Sequence, residues 1–261
     1  KPQPLVLSSH SNTTVCSGQT ISSINFITSP SASLVNWYST SASIVGSGSG
    51  NIASFTGINT GSTAIIDSIY YSASHLGCTG DTSLFTITIN PVPVITPTAD
   101  LTVCHGDSIV IPSFISLPSS TISWTNNNTQ IGLSTSGTGN IASYVGTNTS
   151  GTTQTAQLIV STSTFGCSGV QDTFSITIKP QPMISSTHSN IVACHGQAIP
   201  SINFSKIPTG SVVNWYSTSA SIVGSGSGNI ASFTGSNAGS TAIIDTIYYS
   251  ASHLGCTGDT S

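Results

Sequence analysis

Apolar residues in this chain come in short alternating runs. Phe85, Ile87 and Ile89 are separated by Thr86 and Thr88, and Phe174, Ile176 and Ile178 repeat the pattern. A period of two buries one face of a strand and wets the other. The alternation predicts a strand over 84–89 and its counterpart in the second copy. Further strands are predicted around 21–26, 34–38, 52–55, 64–66 and 69–73. The glycine-rich stretch 46–50 reads as a loop, being too flexible for a strand interior. Helical periodicity is absent. Six or seven short strands in about 90 residues, punctuated by Gly, Ser, Asn and Pro, point to an all-β protein of two-sheet sandwiches.

The pattern is itself repeated. Residues 35–83 return as 213–261 with three changes: Ile58 becomes Ser236, Thr60 becomes Ala238 and Ser68 becomes Thr246. A diverged copy lies between them, where Gly50-Asn51-Ile52-Ala53-Ser54-Phe55 reappears as Gly139-Asn140-Ile141-Ala142-Ser143-Tyr144. A fixed period decides architecture before any other signal. The domain reading is repeat 1 over 1–90, repeat 2 over 91–179 and repeat 3 over 180–261. Closely spaced prolines mark the joints: Asn90-Pro91-Val92-Pro93, Lys179-Pro180-Gln181-Pro182 and, at the start, Lys1-Pro2-Gln3-Pro4. Such linkers are extended and semi-rigid, which favours a stiff rod. Ser261 corresponds to Ser83, so repeat 3 lacks its last strand. Two explanations stand: the native chain continues, or a strand from another molecule fills the slot by strand addition.

Composition narrows the function. Charged residues are 4% of 261, with no Arg and no Glu, and Ser and Thr make up about a third. Three lysines do not neutralise a phosphate backbone, which excludes nucleic acid as a partner. No apolar run is long enough to span a membrane as a helix. Trp37, Trp124 and Trp215 share one position, each two residues after Val35, Ile122 or Val213. They read as core tryptophans packed near a disulfide rather than as a ligand-stacking platform.

Six cysteines fall as Cys16 and Cys78, Cys104 and Cys167, Cys194 and Cys256, separated by 62, 63 and 62 residues. Six cysteines allow 15 connectivities. The spacing predicts one bridge within each repeat, worth about 4 kcal/mol in the chain-entropy model, and an oxidising, exported setting. The competing reading is buried free thiols in a cytosolic protein.

No catalytic, cofactor-binding or metal-binding residues are assigned. The seven acids are all Asp and few recur in every repeat: Asp67 and Asp245 match, but Ala156 stands between them. His105 and His195 follow cysteines, and Ser17 takes that place in repeat 1, which argues against a shared metal site. Tyr70, Tyr71, Tyr248 and Tyr249 are candidates for a glycan-binding surface, with core packing the simpler reading. N-x-Ser/Thr tripeptides at Asn12, Asn127, Asn148 and Asn203 are at the level chance produces in such a chain.

The repeats Val15-Cys16-Ser17-Gly18-Gln19, Val103-Cys104-His105-Gly106-Asp107 and Ala193-Cys194-His195-Gly196-Gln197 are each followed by a Trp-containing strand. The motif Gly-Cys-Thr/Ser-Gly at Cys78, Cys167 and Cys256 comes next. Together these resemble the PKD-like, immunoglobulin-like repeats of very large Bacteroidota surface proteins, including gliding adhesins and type IX secretion substrates. The resemblance covers essentially the whole chain. It implies a tandem immunoglobulin-like fold, an extracellular or cell-surface location and a non-catalytic role as stalk, adhesin or filament. The partners it implies are neighbouring repeats and further copies of the chain. It also implies O-glycosylation at Asp-Ser/Thr-apolar sites, which here are Ser68, Ser108 and Thr246.

Overall fold

The computed structural model describes residues 1–41, 44–219 and 223–261. Its elements are strands, apart from one short 3₁₀ turn at Thr129–Ile131. Repeat 1 contains β1 (Leu5–Ser8), β2 (Thr13–Cys16), β3 (Thr20–Ile21), β4 (Phe26–Ser29), β5 (Leu34–Ser39), β6 (Ser47–Ser49), β7 (Phe55–Thr56), β8 (Ile65–His75), β9 (Cys78–Thr79) and β10 (Ser83–Asn90). One sheet runs β2-β10-β8-β5-β6, with β9 added to β8. The β2–β10 pair is parallel, and the other neighbours are antiparallel. The opposite layer is broken into the pairs β1–β4 and β3–β7, with a single bridge between Ile24 and Ile52. An early strand crossing to run parallel with the last one, over a second layer, is the immunoglobulin-like arrangement.

The core follows from the alternation. Phe85, Ile87 and Ile89 of β10 are buried against Ile69, Tyr71 and Ala73 of β8, and Val6, Ile21, Ile24 and Ile52 close the other side. Repeat 2 builds the same core around Phe174, Ile176, Ile178, Leu158 and Val160. Its large sheet has the same order, from Leu101–Cys104 through Asp172–Lys179, Gln154–Thr164 and Thr121–Asn126 to Ser136–Thr138.

Four expectations change. The strand expected at 21–26 is split into β3 and β4, and of 52–55 only Phe55 lies in a strand, β7, because Ile24 and Ile52 meet in an isolated bridge and not a ladder. The strands expected at 64–66 and 69–73 are one continuous strand, β8. The polar Asp67 hid it, because Asp67 faces inward. It is fully buried, and its Oδ1 accepts from Thr40 Oγ1 (3.0 Å) and the Ser41 amide (2.8 Å). The stretch expected to be a loop holds β6, paired with β5 through Trp37↔Gly48. The Trp37 indole lies over Gly48, where a Cβ would come within 2.6 Å of the ring. Gly137 under Trp124 and Gly226 under Trp215 are equally tight, at 2.3 and 2.6 Å. Glycine is there because an indole covers it.

The described residues of repeat 3 include no counterpart of β10. The larger sheet of this repeat has four strands, Ser225–Ser227, Val212–Ser217, Ile247–His253 and Cys256–Thr257. Ser261 and Tyr249 exchange two backbone hydrogen bonds of 3.0 Å, in the register that Ser83 and Tyr71 set in repeat 1.

Candidate functional site

The places where one repeat meets the next carry the most specific chemistry. Cys16 is bonded to Cys167 and Cys104 to Cys256, each with a Cα–Cα distance of 5.7 Å. Each bridge joins the early cysteine of one repeat to the late cysteine of the following one. This corrects the expectation of one bridge within each repeat. The reason is strand register. Cys16 pairs with Asn90 at the far end of β10, whereas Ser83, at its start, pairs with Tyr71 of β8. Cys78 lies four residues past Tyr71's level, opposite His75. At about 3.3 Å per residue, β10 alone separates the two levels by about 23 Å, far beyond the roughly 7 Å that a disulfide spans. The same register moves Trp37, paired with Tyr71, away from the Cys16 bridge. Its indole Nε1 donates to Gly50 O (3.0 Å).

Three further features recur at each joint. The residue two before the late cysteine is left-handed: Leu76 (φ 48°), Phe165 (50°) and Leu254 (51°). Its carbonyl accepts from the residue that opens the linker: Lys1 Nζ to Leu76 O (2.8 Å), Asn90 Nδ2 to Phe165 O (2.9 Å) and Lys179 Nζ to Leu254 O (2.7 Å). The glycine two after that cysteine lies under the linker. A Cβ on Gly80, Gly169 or Gly258 would meet the carbonyl of Pro4, Pro93 or Pro182 within 2.1, 2.1 and 1.9 Å. The Cys-Thr/Ser-Gly motif is thus a seat for the proline linker beside the cysteine. Pro91 and Pro180 are buried at the two closed joints.

The early cysteines are equally uniform. Each backbone amide donates to the side chain three residues on: Cys16 to Gln19, Cys104 to Asp107 and Cys194 to Gln197, at 2.8, 2.9 and 3.0 Å. The histidines beside them serve as acceptors. His105 Nδ1 accepts from the Asn148 amide (2.8 Å) and His195 Nδ1 from Asn237 (3.1 Å), while in repeat 1 Ser17 Oγ accepts from Asn59 (2.9 Å). Serine can replace histidine because only an acceptor is required. Among the described residues no group of three His, Cys, Asp or Glu is placed to hold a metal ion. No helix among them is long and apolar enough to cross a membrane.

The four tyrosine candidates divide into two kinds. Tyr71 is in the core against Phe26 and Phe85, and Tyr249 packs on Phe204. Tyr70 stacks instead on exposed Tyr38 (centroids 5.0 Å, 10° between planes), and Tyr248 on Tyr216 (5.2 Å, 21°). Repeat 2 has Ile159 paired with Thr125 at these positions. Tyr38 and Tyr216 stand far from Tyr70 and Tyr248 in sequence, and cross-strand register alone makes them neighbours.

Ser108 and Thr246 are exposed and Ser68 is half-buried on β8. Asn148 is buried, and its Nδ2 donates to Thr152 O and Ile178 O (2.8 and 2.7 Å), so its amide is committed to the fold. Tyr144 stands where Phe55 and Phe233 occur. Its hydroxyl is buried with no hydrogen-bond partner, and burial pushes its pKa up from 10.0 to about 12.

No family model matches the chain, and no curated protein does. Solved structures do. The chain is similar to the sidekick-1 immunoglobulin domains 1-5 at 14% identity, over 99% of this chain and 57% of that one (TM-score 0.40). It is similar to mouse cadherin-23 EC22-24 at 8% identity, over 100% and 97% (TM-score 0.37). A third is protocadherin gamma B7 extracellular cadherin domains 1-4, at 11% identity over 95% and 74% (TM-score 0.35). The chain thus spans little more than half of the sidekick-1 structure. On its own strand order, this protein is an all-β tandem array of immunoglobulin-like sandwiches.

Proposed function

We propose that the chain is a non-catalytic structural repeat region of an extracellular surface filament or adhesin stalk, organised as units 1–90, 91–179 and 180–261. The observation that carries this reading is the joint. A disulfide, a capped left-handed turn and a seated proline linker recur at both closed joints. Each removes freedom between neighbours, and domains joined this way act as one stiff element rather than as beads on flexible tethers. A surface almost free of charge adds little repulsion between laterally packed rods. The motifs around the cysteines favour PKD-like repeats of the Bacteroidota kind. Ser68, Ser108 and Thr246 are the proposed O-glycan sites; glycans there would solubilise a surface built of hydroxyls and amides.

The open slot of repeat 3 takes a strand of the 84–89 type, with apolar residues at every second position. Further sequence of the same chain or strand addition from a second copy would supply it. Electron microscopy of the native protein from its source tests the reading. Continuous rods or filaments with an axial period of one or two sandwich lengths are expected. Flexible, compact particles would overturn it.

A second reading has its own observation. The stacked pairs Tyr38–Tyr70 and Tyr216–Tyr248 present flat aromatic faces one super-repeat apart, which suits a multivalent glycan- or protein-binding module. A glycan array probed with the protein and its Tyr38→Ala/Tyr216→Ala variant separates the two: binding lost in the variant favours the adhesin module.

A further inference from the structure

Repeat 2 carries a cleft between the loop that follows Pro118 and the turn that precedes Cys167. It is open, holds about 430 Å³ and is lined by Ser119, Ser120, Thr121, Ser163, Thr164 and Phe165. That volume falls within the range of about 300–1,000 Å³ usual for ligand sites. None of these side chains carries a charge. Ser119, Thr121 and Ser163 are exposed. Among the described residues, the hydroxyls of Ser119, Thr121, Ser163 and Thr164 have no protein partner.

Several features that set repeat 2 apart from its neighbours meet here. Strand register makes Thr121, opposite Ser163, the counterpart of Leu34, opposite Ser74, and of Val212, opposite Ser252. Thr164 stands where His75 and His253 occur, and Phe165 where Leu76 and Leu254 occur. The loop is also shorter. Three residues separate Pro30 from Leu34 and Pro208 from Val212, but two separate Pro118 from Thr121. In the longer loops a serine turns back on the proline. Ser33 N and Oγ donate to Pro30 O (3.1 and 2.6 Å), and Ser211 N and Oγ donate to Pro208 O (3.0 and 2.7 Å). Ser120 Oγ pairs instead with Ser116 Oγ (2.7 Å). The matching cleft of repeat 3 has Val212, His253 and Leu254 in its lining.

Phe165 is held against a steric preference. It is left-handed (φ 50°), a conformation in which a bulky side chain crowds its own backbone. Its side chain is 59% exposed, so core packing does not keep it there. The base beneath the ring is fixed. Asn90 Nδ2 donates to the Phe165 carbonyl (2.9 Å), and Cys167, bonded to Cys16, follows two residues later.

We propose that this cleft binds a neutral saccharide. The Phe165 ring offers an apolar face to the C–H side of a pyranose. The surrounding hydroxyls both donate and accept, as sugar hydroxyls require. The lining holds no charge to pair with a phosphate or carboxylate, and one apolar side chain is too little for a lipid. The inference stands apart from the rod reading and from the tyrosine pairs, which belong to repeats 1 and 3.

The test titrates the isotope-labelled chain with neutral oligosaccharides of glucose, galactose, mannose and N-acetylglucosamine, read by amide chemical shifts. At least one should give saturable shifts at 119–121 and 163–166, without matching shifts at 210–212 and 252–255. Phe165→Leu, which installs the residue of the neighbouring repeats, should weaken that binding about tenfold and leave the thermal midpoint unchanged. The Tyr38→Ala/Tyr216→Ala variant should bind at this cleft as the wild type does. No shift at about 10 mM sugar, where a millimolar affinity approaches saturation, would overturn the proposal. So would equal shifts at both clefts, or binding that Phe165→Leu leaves intact.

Discussion

Repeats 1 and 3 share almost one sequence over 49 residues, 35–83 and 213–261, yet their structures differ. In repeat 1, β8 runs eleven residues, Asp67 is fully buried and β2 is formed. In repeat 3 the matching strand, Ile247–His253, has seven residues. Asp245 is half-buried, Ile243 is exposed where Ile65 is half-buried, and residues 191–194 form no strand. The difference is β10. It is the central neighbour of both β8 and β2, so without it one strand frays and the other has nothing to pair with. A strand's length is set by its partner as much as by its own residues.

The comparison yields three tests. The largest effect is expected from completing repeat 3. Phe85, Ile87 and Ile89 are all but fully buried, and each such side chain stabilises by about 1.5–3 kcal/mol. Appending Leu-Phe-Thr-Ile-Thr-Ile after Ser261 should therefore slow amide hydrogen exchange at 243–249 and 191–194 to the level of 65–71 and 13–16. Unchanged exchange there would mean that the strand is not what separates the two repeats.

A smaller effect separates Asn59 from Asn237. Asn59 Nδ2 donates to Thr63 O and to Ile89 O of β10 (2.8 and 2.7 Å), whereas Asn237 Nδ2 donates to Thr241 O (2.8 Å). Asn59→Ala strands the buried end of β10 and should cost about 1–3 kcal/mol. Asn237→Ala, at a half-buried site with no bond to such a strand, should cost clearly less in denaturant unfolding. Equal losses would show that the bond to β10 contributes nothing.

The smallest concerns repeat 2. Tyr144→Phe restores the residue of its neighbours and removes a buried hydroxyl without a partner, so stability should hold or rise by up to about 1 kcal/mol. The raised pKa of Tyr144 gives the pH sign. The folded state holds this proton more tightly than the unfolded state. That contribution is complete below pH 10 and fades as pH rises towards about 12. The variant should lose this part of the alkaline sensitivity in thermal melts taken between pH 9 and 12. An unaltered profile would place the alkaline loss elsewhere.

Much of the architecture is legible in the residues. The Phe-Ile-Ile alternation marks β10 because one face meets a core and the other water. The recurring Gly-Asn-Ile-Ala-Ser segment fixes the repeat, and the prolines mark the joints. Strands interrupted for tertiary reasons leave a weaker pattern. Asp67 breaks the apolar pattern of β8 because it holds residues 40 and 41 from inside. Gly48 looks like loop because the indole above it is contributed by another strand. Tyr38 and Tyr216 join the candidate surface only through cross-strand register.

The cysteines draw the line between the two kinds of information most clearly. Their number, their even spacing and their place in each motif are properties of the sequence alone. Spacing along a chain carries no direction in space, and equal spacings of 62 and 63 fit pairing within a repeat as readily as between repeats. The parallel β2–β10 register puts the early cysteine at one end of the sandwich, and the β8–β9 turn puts the late one at the other. Once the strands are about 23 Å long, only the neighbouring repeat brings a partner within bonding distance. The sequence thus determined that this protein is a chain of like sandwiches carrying paired thiols. The tertiary structure decided that those thiols join one sandwich to the next.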